Sequence, residues 1–247
     1  MAREQAYYES YYESEGPAHF AKPAVVAFRE YLVRRILTAT GAGPHMRVLS
    51  IGCGIGDTEL LLAPHVAHLT GVDLSAQAVA HAKRSAASRG IANAEFVANP
   101  WETAVFPHGP FDLVIAVFFL HHLSDAELAA FPARIRPLLN AGGKCYALEP
   151  SVRRLSGRVG KLLIPRLMKK YQTDDERQLD MRRTAGYFTA AGFDVVPRWF
   201  DFVSTPLAGL FPSWRSGYRL ARALDAPLTR LPLLRELSSN FDLVASI

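Results

Sequence analysis

The stretch Ile51-Gly52-Cys53-Gly54-Ile55-Gly56-Asp57 is the part of the chain that points most directly to chemistry. Three glycines at alternate positions follow an apolar run, Val48-Leu49-Ser50-Ile51, and precede a helix start. Glycine lets a backbone turn sharply and approach a ligand closely. The free N–H groups of a helix start add positive partial charge. Asp73 ends the next apolar run, 17 residues after Gly56. A carboxylate there can accept hydrogen bonds from both hydroxyls of a ribose. The pair therefore reads as a site for an adenosine-containing cofactor at the carboxyl ends of strands. A dinucleotide fingerprint is G-x-G-x-x-G. Here the third glycine comes one residue early and Asp57 takes the dinucleotide position, an acid where a pyrophosphate would lie. A zwitterionic, cationic cofactor such as S-adenosylmethionine suits the loop better.

A second group of candidates lies further along. His121 and His122 follow the most apolar run of the chain, Phe111–Phe119, and Glu149 ends the run after it. A histidine and a carboxylate at strand ends could together deprotonate a hydroxyl or amine. The histidines fit equally as packed or capping residues ahead of a helix opening at Ser124. No Asn/Asp-Pro-Pro-Tyr follows this run, and Ala116 to Leu120 are all apolar. That argues against a base amine in nucleic acid, and no nucleic-acid partner is expected; a greasy acceptor fits the apolar rim.

The elements that must position these residues alternate. Strands are expected at Arg47–Ile51, Leu69–Asp73, Ala94–Ala98, Phe111–Phe119 and Lys144–Leu148. Helices are expected from about Asp57 to Pro64, from a Ser75 cap to Arg89 with Gly90 as the stop, and from the Ser124 capping box to near Asn140. Ala141-Gly142-Gly143 reads as a turn. Alternation of this kind argues an α/β doubly wound sheet with helices on both faces. A helix from Pro23 to Thr38 precedes it. A tandem Tyr7-Tyr8-Glu9-Ser10, Tyr11-Tyr12-Glu13-Ser14 repeat stacks aromatic residues at a period of four, as N-terminal packing or as a lid. Beyond residue 150 a helix from about Asp174 to Ala191 and strands at Phe193–Phe200 and Phe241–Ile247 are expected.

Composition is that of a globular chain with a full core. Of 247 residues, 49% are hydrophobic and 21% charged. There is no apolar run long enough for a transmembrane span and no secretion-type apolar start. Cys53 and Cys145 are far apart, so neither a disulfide framework nor a cysteine-based zinc site is expected, and no metal is expected. A reducing, cytoplasmic setting fits. The net charge of +5 is uneven: residues 1–150 carry 12 basic and 14 acidic side chains, and residues 151–247 carry 16 and 9. Residues 151–170 hold seven basic side chains and no acid, a patch that suits anions or a solvated surface.

The blocks VLSIGCGIGDTEL, GVDLS, FDLVIAVFFLHHL and LLNAGGKCYALEP resemble the class I S-adenosylmethionine-dependent methyltransferases, of the small-molecule group that includes quinone-methylating enzymes. The resemblance covers about residues 46–150. It implies a Rossmann-like seven-stranded sheet ending in an antiparallel hairpin, with Gly52, Gly54 and Gly56 against the methionine part, Asp73 on the ribose and Leu74 on the adenine. Cys53 and Ala116 fall in the matching blocks and join this cofactor set. The family often has an acid where this chain has Ser50, and Gly-Asp-Ala where this chain has Asn99-Pro100-Trp101. Asn99 or the backbone is then expected at the adenine, with Trp101 stacked on it or packed in the core.

One domain is expected over residues 1–247: a helical cap over 1–45, a cofactor core over 46–150 and an acceptor-side cover over 151–247. On a helical wheel Trp214, Tyr218, Ala221, Leu224 and Leu220 separate from Arg222, Arg215 and Arg219. With Leu and Phe residues around them, this gives a lid or a peripheral membrane surface at 153–170 and 207–237. The leading expectation is methylation of a hydrophobic small-molecule or lipid-like acceptor. A nicotinamide-dependent oxidoreductase and a non-catalytic cofactor-binding accessory protein are the alternatives.

Overall fold

Short runs rich in Val, Ile and Leu with few polar breaks form strands that are buried on both faces. In the computed structural model, which describes residues 16–157 and 177–247, five such runs form a parallel set: β1 (Arg47–Ile51), β2 (His68–Asp73), β3 (Ala94–Ala98), β4 (Phe111–Val117) and β5 (Leu139–Pro150). Two more, β6 (Asp194–Asp201) and β7 (Asn240–Ser246), add antiparallel, and the order is β3-β2-β1-β4-β5-β7-β6. Pro197 is tolerated because β6 is the edge strand. The Tyr repeat at 7–14 and most of the basic run at 153–170 lie outside the described residues.

Alternate residues face alternate layers. Leu49, Ile51, Val114, Ala116 and Ala147 pack with Phe131 of α5 (Asp125–Ile135) and Phe188 of α6 (Met181–Ala190). Val48, Leu113, Ile115, Tyr146 and Leu148 pack on the other face with Phe28, Leu32 and Ile36 of α2 (Pro23–Thr40). Before α2 comes a short α1 (Gly16–Phe20), and α3 (Glu59–Leu62) and α4 (Ala76–Ser88) follow β1 and β2. Between β6 and β7 stand α7 (Ser204–Leu210) and α8 (Arg215–Leu228). Ser75 and Ser124 cap their helices as expected. The Ser75 hydroxyl accepts from the Ala78 N–H, and Ser124 and Glu127 form the reciprocal capping box.

Several boundaries differ from the sequence expectation, each for a local reason. β4 ends at Val117, because Phe118 turns to φ 53°. The Ala141–Gly143 turn lies inside β5, where Gly142 takes φ 75° and the register with β4 shifts. The helix after β1 is only Glu59–Leu62, with a 3₁₀ turn at Ala63–His65 behind it. The Ser124-capped helix stops at Ile135, and Arg136–Leu138 tightens to a 3₁₀ turn around Pro137. α6 begins at Met181, not near Asp174, because the Asp180 side chain accepts from the Arg182 and Arg183 N–H groups; residues 174–176 lie outside the described residues.

One buried polar group ties α2 to the sheet. Asp242 on β7, 0% exposed, accepts from Arg35 of α2 through both oxygens at 2.6 and 3.1 Å and from the Tyr146 hydroxyl at 3.1 Å. Removing one partner of such a pair strands the other, at a cost of about 3–5 kcal/mol. Asp242→Ala is therefore expected to lower the unfolding free energy by about that much, and Asp242→Asn, which keeps one acceptor oxygen for Arg35 Nε and the Tyr146 hydroxyl, by less. Urea titration of the two variants checks this.

Candidate functional site

The loop after β1 can exist only with glycines. Gly52, Gly54 and Gly56 take φ of 73°, 51° and 75°, a region that side-chain-bearing residues rarely adopt. Space forbids substitution as well: a Cβ on Gly52 would lie 2.5 Å from the Phe119 ring. The Gly52 and Cys53 N–H groups donate to Val72 O at the end of β2. Asp73 then clamps the loop to the start of α4. Its Oδ2 accepts from the Gly54 N–H at 2.8 Å and its Oδ1 from the Ser75 N–H at 2.9 Å. A carboxylate offers about four acceptor positions in all.

Beneath this loop the polar residues pair in ways the sequence reading missed. Ser50, 2% exposed, donates its hydroxyl to Glu59 Oε1 at 2.7 Å. Burial, and then the charge of Asp57, push the Glu59 carboxyl up to about 7. Glu59 Oε2 is also buried and has no hydrogen-bond partner. Asp57 is held by Arg29 of α2 at 2.6 Å, and Arg29 also donates to the Thr58 hydroxyl. Three carboxylates, Asp57, Glu59 and Asp73, thus surround the loop. The only available cue to Glu59 is its place nine residues after a strand-end serine; Arg29 leaves no local signal.

The remaining cofactor candidates divide. Leu74 is 45% exposed beside Asp73, as an adenine contact requires. Asn99 and Pro100 are exposed, with the Asn99 N–H donating to Asp73 O. Of the two alternatives left open for Trp101, the structure matches core packing: it is 9% exposed and packed edge-on against Phe131. Ala116, expected to touch the cofactor, is fully buried in the sheet and offers no side-chain surface. Cys53 is buried too, and burial followed by the charge of Asp73 pushes its thiol well above the ordinary range. That leaves it a packing residue without nucleophilic character.

At the end of β4 the chain is strained and then held. Phe118, at positive φ, is a non-glycine residue in the left-handed region, a cost of order 1–3 kcal/mol that persists only where surroundings enforce it. The enforcing group is Glu149, 0% exposed at the end of β5. Its Oε1 accepts from the Phe119 and Leu120 N–H groups at 3.0 and 2.7 Å, and its Oε2 lies 2.8 Å from His121 Nδ1. With Nδ1–H donating to that carboxyl group, Nε2 is the nitrogen left to face a ligand. His122 stacks on His121 with ring centres 4.0 Å apart, and His121 itself is 7% exposed. The structure therefore joins His121 and Glu149 into one unit and places His122 beside it.

Aromatic rings connect this unit to the C-terminal cover. Phe118 lies 6.5 Å from His121 and 6.2 Å from Phe28, and Phe28 lies 6.5 Å from Tyr218 of α8. α8 is anchored through Asp225, 0% exposed, which accepts from the Val203 and Ser204 N–H groups at the start of α7. The cationic face expected on α8 is split. Arg222 turns inward, 4.3 Å over the Tyr31 ring, and donates to Phe200 O, while Arg215 pairs with Glu30. The apolar face is split as well: Tyr218 and Ala221 are buried, whereas Trp214, Leu220 and Leu224 are 53%, 62% and 58% exposed.

The glycine cradle and the three acids around it, Asp57, Glu59 and Asp73, fit a positively charged adenosine cofactor and oppose a pyrophosphate. Comparison with known proteins agrees. Residues 48–143 match the family model described as a methyltransferase domain. The uncharacterized methyltransferase YcgJ of Bacillus subtilis is 36% identical over 105 residues, 42% of this chain and 41% of that protein. The aklanonic acid methyltransferase DauC of a Streptomyces species is 30% identical over 131 residues, 52% of this chain and 59% of that protein. The chain thus spans less than two thirds of either relative. In fold it is similar to the magnesium protoporphyrin IX methyltransferase of Synechocystis PCC 6803 solved with bound SAH: TM-score 0.64, 16% identity, 96% of this chain and 97% of that one. The matched segment, the glycine loop and the mixed seven-stranded sheet agree: residues 48–143 are similar to a methyltransferase domain, and the chain shares the fold of S-adenosylmethionine-dependent methyltransferases.

Proposed function

We propose that this chain methylates an ionisable group on a hydrophobic small molecule, with His121 as the general base and Glu149 as the residue that positions it. The observation that carries the proposal is the 2.8 Å contact between His121 Nδ1 and the buried Glu149 carboxylate, beside Phe118 and Phe28. The backbone from Gly52 to Gly56 would hold the cofactor's methionine end, Asp73 its ribose, and Leu74 with Asn99 and Pro100 its adenine. When bound, S-adenosylmethionine supplies an electrophilic methyl group on a cationic sulfur. Glu59, hydrogen-bonded by Ser50, adds negative charge beneath the loop once it ionises near neutrality. Phe28, Phe118 and Phe119 supply an apolar wall that excludes water and accepts a greasy body. Support for a small-molecule acceptor comes from the relative named for aklanonic acid. The acids around the loop count against the nicotinamide reading.

The same reading gives the C-terminal cover a role in delivering the acceptor. Phe211, Trp214, Leu220, Leu224, Leu231 and Leu233 are 48–89% exposed, and Arg219, Arg230 and Arg235 lie exposed among them. Apolar side chains with interspersed cations match an anionic lipid surface. No helix among the described residues is long and apolar enough to cross a membrane, so the contact would be peripheral.

Three measurements test this. Radiolabelled methyl transfer into fractionated cell extract should yield a labelled apolar product. His121→Ala should lower that transfer by about 10²–10⁴-fold while leaving cofactor affinity within about twofold by calorimetry. Binding of the cofactor with no transfer to any fraction would favour the accessory-protein alternative instead. The second measurement uses Glu59. Its folded-state value of about 7 lies above the ordinary 4.5, so the native chain retains a proton that the unfolded chain releases. Stability should therefore fall as pH rises between these values. A cationic cofactor favours the carboxylate, so its affinity should rise between about pH 6 and 8, about tenfold for each unit by which binding lowers that value. Glu59→Gln should flatten both profiles. Third, the chain should sediment with vesicles containing phosphatidylserine, and Leu220→Ser/Leu224→Ser/Leu233→Ser should abolish this without altering cofactor affinity.

A further inference from the structure

A second convergence of side chains lies at the other end of β2 from Asp73. His68 opens β2, and Glu95 is the second residue of β3, paired in register with Thr70. In a strand, residues two apart share a face, so His68, Thr70 and Glu95 point to the same side. His108 comes from the segment that leads back to β4. The three side chains meet there. His68 Nε2 lies 3.6 Å from Glu95 Oε1, His108 Nε2 lies 3.7 Å from Glu95 Oε2, and the two imidazole rings are 4.1 Å apart. One ligand atom from each residue falls within 4.8 Å of the others.

We propose that His68, Glu95 and His108 bind a late first-row divalent cation, Zn²⁺ foremost. Two imidazoles and a carboxylate are ligands such ions prefer. Metal–ligand bonds of about 2.0–2.1 Å in a tetrahedron put ligand atoms about 3.4 Å apart, and the observed nitrogen–oxygen separations are a few tenths of an ångström wider. Three further observations point to a ligand. His68 Nε2 is buried without a hydrogen-bond partner, so its position facing the carboxylate is not explained by a hydrogen bond. The Thr70 hydroxyl donates to Glu95 Oε1 at 2.8 Å, the outer-shell bond that orients a ligating carboxylate. The side chains of His68, Glu95 and His108 are 23%, 34% and 48% exposed, so an ion and completing water molecules have a way in. The site would cross-link β2, β3 and the segment before β4. Its action is on stability, since it sits at the amino end of β2 while the cofactor loop sits at the carboxyl end.

The test uses the full chain without a polyhistidine tag, stripped with chelator, and titrated with Zn²⁺ by calorimetry and with Co²⁺ by visible absorption. The expected result is one ion per chain and a melting temperature that rises with Zn²⁺. His108→Ala, an exposed change, should weaken binding tenfold or more and cancel the thermal shift. Thr70→Val should weaken it by about tenfold, and His121→Ala should leave it unchanged. Cofactor affinity should be the same in His108→Ala and the parent, which separates this inference from the methyl-transfer reading. Sub-stoichiometric binding, or a stoichiometric site insensitive to His108→Ala and Glu95→Gln, would overturn it.

Discussion

The site depends on a carboxylate holding a backbone that only glycine can form. Asp73 grips the Gly54 and Ser75 N–H groups together, and so fixes the turn after β1 against the start of α4. The turn's three left-handed glycines would otherwise carry the largest conformational entropy of any residues in the site. Charge-assisted hydrogen bonds to backbone are among the stronger ones available. They leave the ligand-facing side of the loop free of side chains, so the backbone itself becomes the binding surface.

The same device is used again at the next pair of strand ends. Glu149 reaches from β5 to the chain leaving β4 and holds two N–H groups and an imidazole. The strained Phe118 is the consequence. It throws Phe119 against Gly52, joining the glycine loop to the loop that carries His121. The two halves of the site are therefore packed against each other by a ring that only a glycine could accommodate. Because the order puts β1, β4 and β5 side by side, three loops from sequence-distant segments reach one place without a long connection.

The parts legible in the sequence were those with local causes. Buried parallel strands appear as apolar runs, and Ser75 and Ser124 signal their helices by side-chain chemistry alone. The glycine loop and Asp73 were legible for the same reason, since spacing and strand ends suffice. Contacts between distant segments were not. Arg29 on Asp57, Arg35 on Asp242 and Arg222 over Tyr31 each join elements whose packing only the fold determines. The helical wheel grouped Arg222 with Arg215 and Arg219 on one cationic face, because cation–aromatic stacking against α2 is invisible to a single-helix pattern. Trp101 was ambiguous in sequence and resolved by Phe131. His68, Glu95 and His108 were passed over because their spacing, 27 and 13 residues, matches no local ligand pattern; strand pairing brings them together.

Ser50 and Glu59 show why a departure from a family pattern need not mean a lost function. An acid at the end of β1 would sit under the glycine loop on a strand. Here the strand end is a serine, and the acid stands on α3 with its oxygen on that serine's hydroxyl. The negative charge stays within the same few ångströms, and so does its effect on a cationic ligand. What changes is its environment. On α3 it is buried beside Asp57, so it ionises only as the solution approaches neutrality, while Asp57 pairs with Arg29 and Asp73 accepts from backbone N–H groups. The substitution thus keeps the sign of the field at the loop and gives its strength a dependence on pH.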